Sequence, residues 1–175
     1  MKVNLKDILN QKTLNPLIIM MCGVAGSGKT TLAQQLEKEE GFVRLSIDEE
    51  VWKVNGRYGI DYPVEKYGDY QVEAERRLRN QLIRLIKDKR KVVIDLSFWQ
   101  KSIRDGYKQL IEEAGGEWKL IYLNISPEII RKRLDVRSKR FDANAAFPIT
   151  ENTLTSYLNG FEVPSHEGEI VIEST

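Results

Sequence analysis

Residues 23–30 read GVAGSGKT and meet the spacing G-x-x-x-x-G-K-[ST] at every fixed position. Gly23, Gly26 and Gly28 lack a Cβ, so the backbone can turn with φ > 0 and close around phosphate oxygens, with the N–H groups of Ala25, Ser27 and their neighbours pointing inward. Lys29 adds a point charge suited to β- and γ-phosphates. Thr30 places a hydroxyl where Mg²⁺ is held, and Thr31 offers a further donor toward an α-phosphate. Together these residues compose a site for the phosphates of a nucleotide, with ATP and Mg²⁺ the expected pair. The rival reading is a glycine-rich turn that binds nothing. The flanks argue against it, because an apolar run at 17–22 leads in as a buried strand and helical spacing at 30–39 leads out.

Two carboxylates and a group of arginines could complete the chemistry. Asp48 follows FVRLSI at 42–47 and Asp95 lies in VVIDL at 92–96, each at the end of a short strand. In open α/β sheets ligands bind beyond the carboxyl ends of the strands, which puts both on the rim that carries the glycine loop. There Asp48 can take a proton from an attacking hydroxyl, the part of a catalytic base in phosphoryl transfer. Leading Asp-Glu-Glu, it also reads as the N-cap of a following helix, and the two readings are compatible. Asp95 fits a position from which a carboxylate holds Mg²⁺ with Thr30, directly or through water. A hydrogen bond toward the glycine loop is its alternative. Basic residues concentrate in RKRLDVRSKRF at 131–141. Arg137 and Arg140, at a helix-to-loop junction, are the best placed to stabilise a transferring phosphoryl group, ahead of Arg131 and Arg133 deeper in the helix. Complementing the helix dipole is their plainer use.

The elements that must position these groups follow from periodicity. Leu32, Ala33 and Leu36 form one stripe of a first helix that ends at Gly41. Residues 51–70 hold Trp52, Tyr58, Tyr62, Tyr67 and Tyr70 between glycines and Pro63, an aromatic, loop-rich stretch beside the rim. It could cover or stack an acceptor, or its rings could fill gaps under the sheet. A long amphipathic helix is expected from Tyr70, and another from about Ser102 to Ala114, opened by Arg104 near the rim. A fourth strand is expected at 118–123, a helix from Ser126-Pro127, a short helix at 150–159 and a last strand at 170–172. Leu5, Ile8 and Leu9 suggest a short helix packed on the sheet. His166 has no second imidazole or thiol near it, so metal binding there is not expected.

Composition sets outer limits. With 175 residues the chain is expected to form one domain, and with 27 basic against 26 acidic residues the net charge of +1 advertises neither nucleic acid nor an anionic membrane. The single Cys22 cannot form an intrachain disulfide and sits inside the first strand, as a small buried hydrophobe does. No apolar run is long enough to span a bilayer, so a cytoplasmic protein with no membrane partner is expected, as a monomer or a homodimer.

The combination GVAGSGKTT, SIDEE, VVIDLSFW, RLDVRSKR and FEVPSHEGE, in that order, resembles the P-loop kinases grouped with polynucleotide 5′-kinase, zeta-toxin kinases and chloramphenicol phosphotransferase. The resemblance runs over nearly the whole chain, with the glycine loop its most specific part. It implies a three-layer α/β/α fold with a five-stranded parallel sheet of order 2-3-1-4-5 and a short lid. It further implies that Asp48 is the acceptor-activating aspartate, that Arg137 and Arg140 lie on the lid, and that the loop at 161–167 lies near the adenine. Polynucleotide kinases carry an arginine three residues after this aspartate; here that position is Val51, with Arg57 the next arginine. The expected activity is therefore transfer of the γ-phosphate of ATP to a hydroxyl of a small-molecule acceptor, charged or uncharged. The alternatives are a polynucleotide 5′-hydroxyl kinase and an ATP-binding switch whose output is a partner contact.

Overall fold

The computed structural model describes residues 5–174. In chain order the elements are α1 (Leu5–Leu9), β1 (Leu17–Cys22), α2 (Lys29–Glu40), β2 (Val43–Leu45), α3 (Ile47–Asn55), α4 (Tyr67–Lys87), β3 (Val92–Ile94), α5 (Lys101–Ala114), β4 (Glu117–Asn124), α6 (Pro127–Ser138), α7 (Glu151–Gly160) and β5 (Glu169–Glu173). All five strands are parallel, in the order β2-β3-β1-β4-β5 that the family resemblance implies. All six residues of β1 are buried, the signature of a central strand covered on both faces. Alternation along it feeds two cores. Ile18, Met20 and Cys22 pack with Leu78, Leu82 and Ile86 of α4 and Tyr107 and Ile111 of α5. Leu17, Ile19 and Met21 pack with Ala33 and Leu36 of α2 and with Leu5 and Leu9 of α1.

The order of strands decides where a ligand can enter. From β1 the chain moves outward to β2 and returns through β3, then crosses beyond β1 to β4 and β5. The reversal opens a crevice at the carboxyl end of β1, the usual ligand position in such sheets. The glycine loop occupies it.

Local capping moves several boundaries from where periodicity places them. The second strand ends at Leu45 instead of residue 47, because the Ser46 hydroxyl accepts the Glu49 N–H at 3.3 Å and starts α3. Such caps contribute about 1 kcal/mol. Ser46, and not Asp48, is therefore the N-cap, and Asp48 stands in the first turn of α3. Likewise α4 begins at Tyr67, three residues before Tyr70, because a 3₁₀ turn at Val64–Lys66 leads straight into it. Ser126 caps α6 with Pro127 at the first helical position, and Thr150 caps α7. Among the described residues no helix is long and apolar enough to cross a membrane.

Candidate active site

Beyond Cys22 the chain must turn sharply to enter α2, and Gly26 (φ +81°) and Gly28 (φ +99°) take left-handed conformations to do so. Close packing also excludes a side chain here: a Cβ on Gly26 would lie 3.0 Å from Leu134 and 3.2 Å from Ile130 of α6. Gly28 is the N-cap of α2, and no side chain caps that end. The free N–H groups of the first turn, from Lys29, Thr30 and Thr31, together with the helix dipole, make it an anion site. Two features of the loop fit a phosphate. Ser27 is buried with its hydroxyl unpartnered, and the Lys29 ammonium folds back 2.9 Å onto the Val24 carbonyl, where a phosphate oxygen would compete for it.

Asp95 follows β3 directly; its N–H donates to Leu45 O at 2.8 Å, which fixes it beside the end of β2. Its Oδ2 accepts from Arg44 Nη1 at 2.9 Å. Arg44, almost wholly buried, also pairs with Glu49 and, at 3.5 Å, with Glu37. Asp48 stands at an exposed position on the cleft and accepts from the Tyr67 hydroxyl at 3.1 Å. The candidates lie close enough to act on one another's charge. Burial lowers the pKa of Lys29, and Asp95 and then Asp48 act against that. The enclosing walls raise the pKa of Asp48; the Tyr67 hydrogen bond opposes them, Asp95 reinforces them, and Arg137 and Lys29 draw it down.

The arginines divide. Arg137 belongs to the centre: burial lowers its pKa, and Asp48 is the first charge to act against that. It also holds the segment after α6, donating from Nε to Asn144 O at 3.3 Å and from Nη1 to Phe147 O at 2.9 Å. Arg140 stands further out in an exposed ion pair with Asp142 at 2.7 Å, and bears on the centre only through its charge on Arg137. Arg131 pairs with Glu151 on the surface. Arg133, set aside in the sequence, contacts the glycine loop: Nη1 donates to Ser27 O at 2.8 Å and Gly26 O at 3.4 Å. The signal that finds it is helical spacing, since 133 and 137 are four apart and share a face, whereas α6 ends before 140. Arg104, expected near the rim, lies beside the end of β1 on the Phe98 carbonyl that Cys22 also meets, and is buried there in a bidentate pair with Glu167, at 2.8 and 2.7 Å.

The rings of the aromatic stretch pack against protein in two places. Tyr62 packs with Val51 and Ala74 in a small core of its own. Tyr58 and Tyr67 instead face the segment after α6, where Phe147 stacks on Tyr67 at 5.2 Å and 12° and meets Tyr58 edge-on at 5.6 Å. Phe141 meets Trp52 edge-on at 5.4 Å, and Asn144 Nδ2 donates to Glu49 at 3.0 Å. The residues from 139 to 149 thus form a lid docked on α3 and the start of α4. A surface cavity of about 220 Å³, lined by Arg131, Leu134, Ile149 and Leu154, contains neither Lys29 nor Asp48.

The donor set suits Mg²⁺ more than a metal held by protein alone. Among the described residues no cluster of three or more His, Cys, Asp or Glu could hold a metal ion. Mg²⁺ in nucleotide sites needs only one or two protein ligands besides phosphate and water; of the expected Thr30 and Asp95, Asp95 is ion-paired with Arg44 at 2.9 Å.

Comparison with known proteins agrees with this architecture. Residues 18–164 match the family model described as AAA domain. A shikimate kinase of Chlorobium phaeobacteroides (strain BS1) is 24% identical over 126 residues, covering 72% of this chain and 59% of that protein, so this chain spans under two thirds of its relative's length. A solved candidate kinase from Chloroflexus aurantiacus superposes with a TM-score of 0.72 at 17% identity, over 92% of this chain and 89% of that one. A sugar kinase from Janibacter sp. HTCC2649 gives 0.60 at 21%, over 91% and 85%. The chain shares the fold of these solved structures, a five-stranded parallel α/β sheet with helices on both sides.

Proposed function

This chain belongs to the AAA domain family, and on that premise we propose that it moves the γ-phosphoryl group of ATP to a hydroxyl of a small, uncharged acceptor. The observation that carries the reading is the glycine loop, with its left-handed turns, unpartnered buried Ser27 hydroxyl and inward-folded Lys29, beside which Asp48, Asp95 and Arg137 stand near enough to act on one another's charge. Lys29 and the amides of the loop and helix start, those of Lys29, Thr30 and Thr31 foremost, hold the phosphates; the Gly23 and Ser27 amides shape the loop by donating to Ser97 O and Val24 O, and Arg133 braces it through Ser27 O. Thr30 and Asp95 hold Mg²⁺, which when bound offsets charge on the β- and γ-phosphates. Asp48 takes the proton of the acceptor hydroxyl as its oxygen bonds to phosphorus and the bond to the departing ADP oxygen breaks. Arg137 meets the charge that spreads over the equatorial oxygens. Arg140 would assist only after leaving Asp142.

The neutral character of the acceptor rests on what surrounds Asp48. Val51, where polynucleotide kinases carry their phosphate-gripping arginine, is buried under Tyr62 and Ala74. Arg57 is committed to Asp61 through Nε, Nη2 and its backbone N–H. A polynucleotide kinase would need a free cation at one of these positions to hold the neighbouring phosphate.

The test is ATP consumption against a panel of sugars, polyols, nucleosides, shikimate and 5′-hydroxyl oligonucleotides, with Lys29→Ala as the blank. Turnover stimulated by a neutral hydroxyl compound and absent in Lys29→Ala is expected. Stimulation by oligonucleotides alone would transfer the assignment to a polynucleotide kinase, and slow hydrolysis indifferent to every acceptor would favour a switch.

A further inference from the structure

Tyr67 takes no part in phosphate binding, yet its hydroxyl donates to Oδ1 of Asp48. The ring is held from two sides, stacked on Phe147 of the lid and edge-on to Tyr58 at 5.2 Å and 83°. Phe147 reaches Asp48 by a second route, because its carbonyl accepts from Arg137, whose charge acts on the same carboxylate. The titratable and charged groups around Asp48 come from every neighbouring element: Lys29 of α2, Asp95 after β3, Tyr62, Tyr67 of α4, Arg137 of α6 and Tyr157 of α7. Among the described residues, Tyr67 is the one whose side chain hydrogen-bonds to it.

On the basis of the kinase reading above, we propose that with no acceptor bound the Tyr67 hydroxyl occupies the acceptor's seat on Asp48, and so makes the enzyme discriminate against water. Asp48 is exposed, so water can reach it. Water on this carboxylate would be a competing acceptor: its oxygen would bond to the γ-phosphorus, the bond from phosphorus to the β,γ-bridging oxygen would break, and its proton would pass to Asp48. Tyr67 blocks that at Oδ1 by taking its hydrogen bond, and does not react in water's place because its ring is pinned between Tyr58 and Phe147. An acceptor with further contacts to the cleft has binding energy with which to displace the phenol. A water molecule has only its own hydrogen bonds. Tyr67 is thus a specificity residue that acts through Asp48, and the lid sets its position.

Phosphate release is measured with ATP and Mg²⁺ alone, no acceptor being needed. Tyr67→Phe keeps the ring and its stack, and is expected to release phosphate about tenfold faster than wild type, the scale of one hydrogen bond to a charged group. Adding Asp48→Asn should abolish the gain. Phe147→Leu leaves the hydroxyl but frees the ring, and should give a smaller rise in the same direction; thermal melts by circular dichroism establish that each variant is folded. Unchanged or slower release from folded Tyr67→Phe overturns the proposal and leaves the kinase reading standing, as does a gain that survives Asp48→Asn. Release that Lys29→Ala does not diminish in any background removes the kinase reading, and this proposal with it.

Discussion

Glu167→Gln should destabilise the protein by about 3–5 kcal/mol, the cost of breaking a buried ion pair from one side. The side chains of Arg104 and Glu167 are 1% and 5% exposed, and Arg104 spends its remaining donor on Phe98 O at 2.8 Å. Gln is nearly the size of Glu, so the variant isolates charge from packing. Lys108 approaches Glu167 Oε2 to 3.5 Å, so losing the carboxylate leaves two cations facing each other and places the effect in the upper half of that range. For a chain of this length about 2–4 °C accompanies each kcal/mol, so about 4–5 kcal/mol gives a fall in Tm of roughly 8–20 °C. The pH dependence has a definite sign. Arg104 holds the Glu167 carboxyl below its ordinary value, so the pair's contribution is fully present above the unfolded carboxyl's pKa and is lost as pH falls through the lower folded value. The gap between wild type and Glu167→Gln should therefore close in acid. The assay is urea and thermal unfolding of both proteins from neutral pH downward. A shift under about 2 °C at neutral pH, or a gap that persists in acid, would refute the reasoning. Arg104→Met with Glu167→Leu should recover most of the loss, because an apolar pair leaves no buried charge behind.

Three further outcomes follow from the site. Gly26→Ala should cost about 1–3 kcal/mol through left-handed strain, with more if Leu134 and Ile130 cannot retreat, and should weaken ATP binding measured by titration calorimetry; wild-type melting and affinity would mean the loop has freedom to spare. Arg133→Ala should raise the KM for ATP several-fold with little change in melting, since one brace of the loop is lost at a largely exposed site; an unaltered KM would make that contact incidental. With an acceptor in hand, kcat/KM should rise with pH through the ionisation of Asp48, above the ordinary carboxylate range of about 4, because the base must be ionised to act and the cleft walls oppose its charge. A flat profile, or the same limb in Asp48→Asn, would take the base assignment away from Asp48.

What the sequence determined by itself is the part governed by neighbours along the chain. The glycine loop is legible because its residue types are required by backbone conformation within six positions, and β1 is legible because a strand buried on both faces must be apolar throughout. Gly41, Ser126-Pro127 and Thr150 mark helix ends for the same local reason. The tertiary structure alone decided the pairings between distant segments. Nothing near Arg44 in the chain points to Asp95, 51 residues on, nor near Arg133 to the carbonyl of Ser27, 106 residues earlier. The charge of Arg104 could suit the rim or the core, and only the approach of Glu167 decides for the core. Tyr67 is one of five aromatic residues in its stretch, equivalent to the rest by type. Its hydroxyl meets Asp48 because α3 and α4 pack together while the lid's Phe147 stacks on its ring, and no local pattern encodes where three separate segments converge.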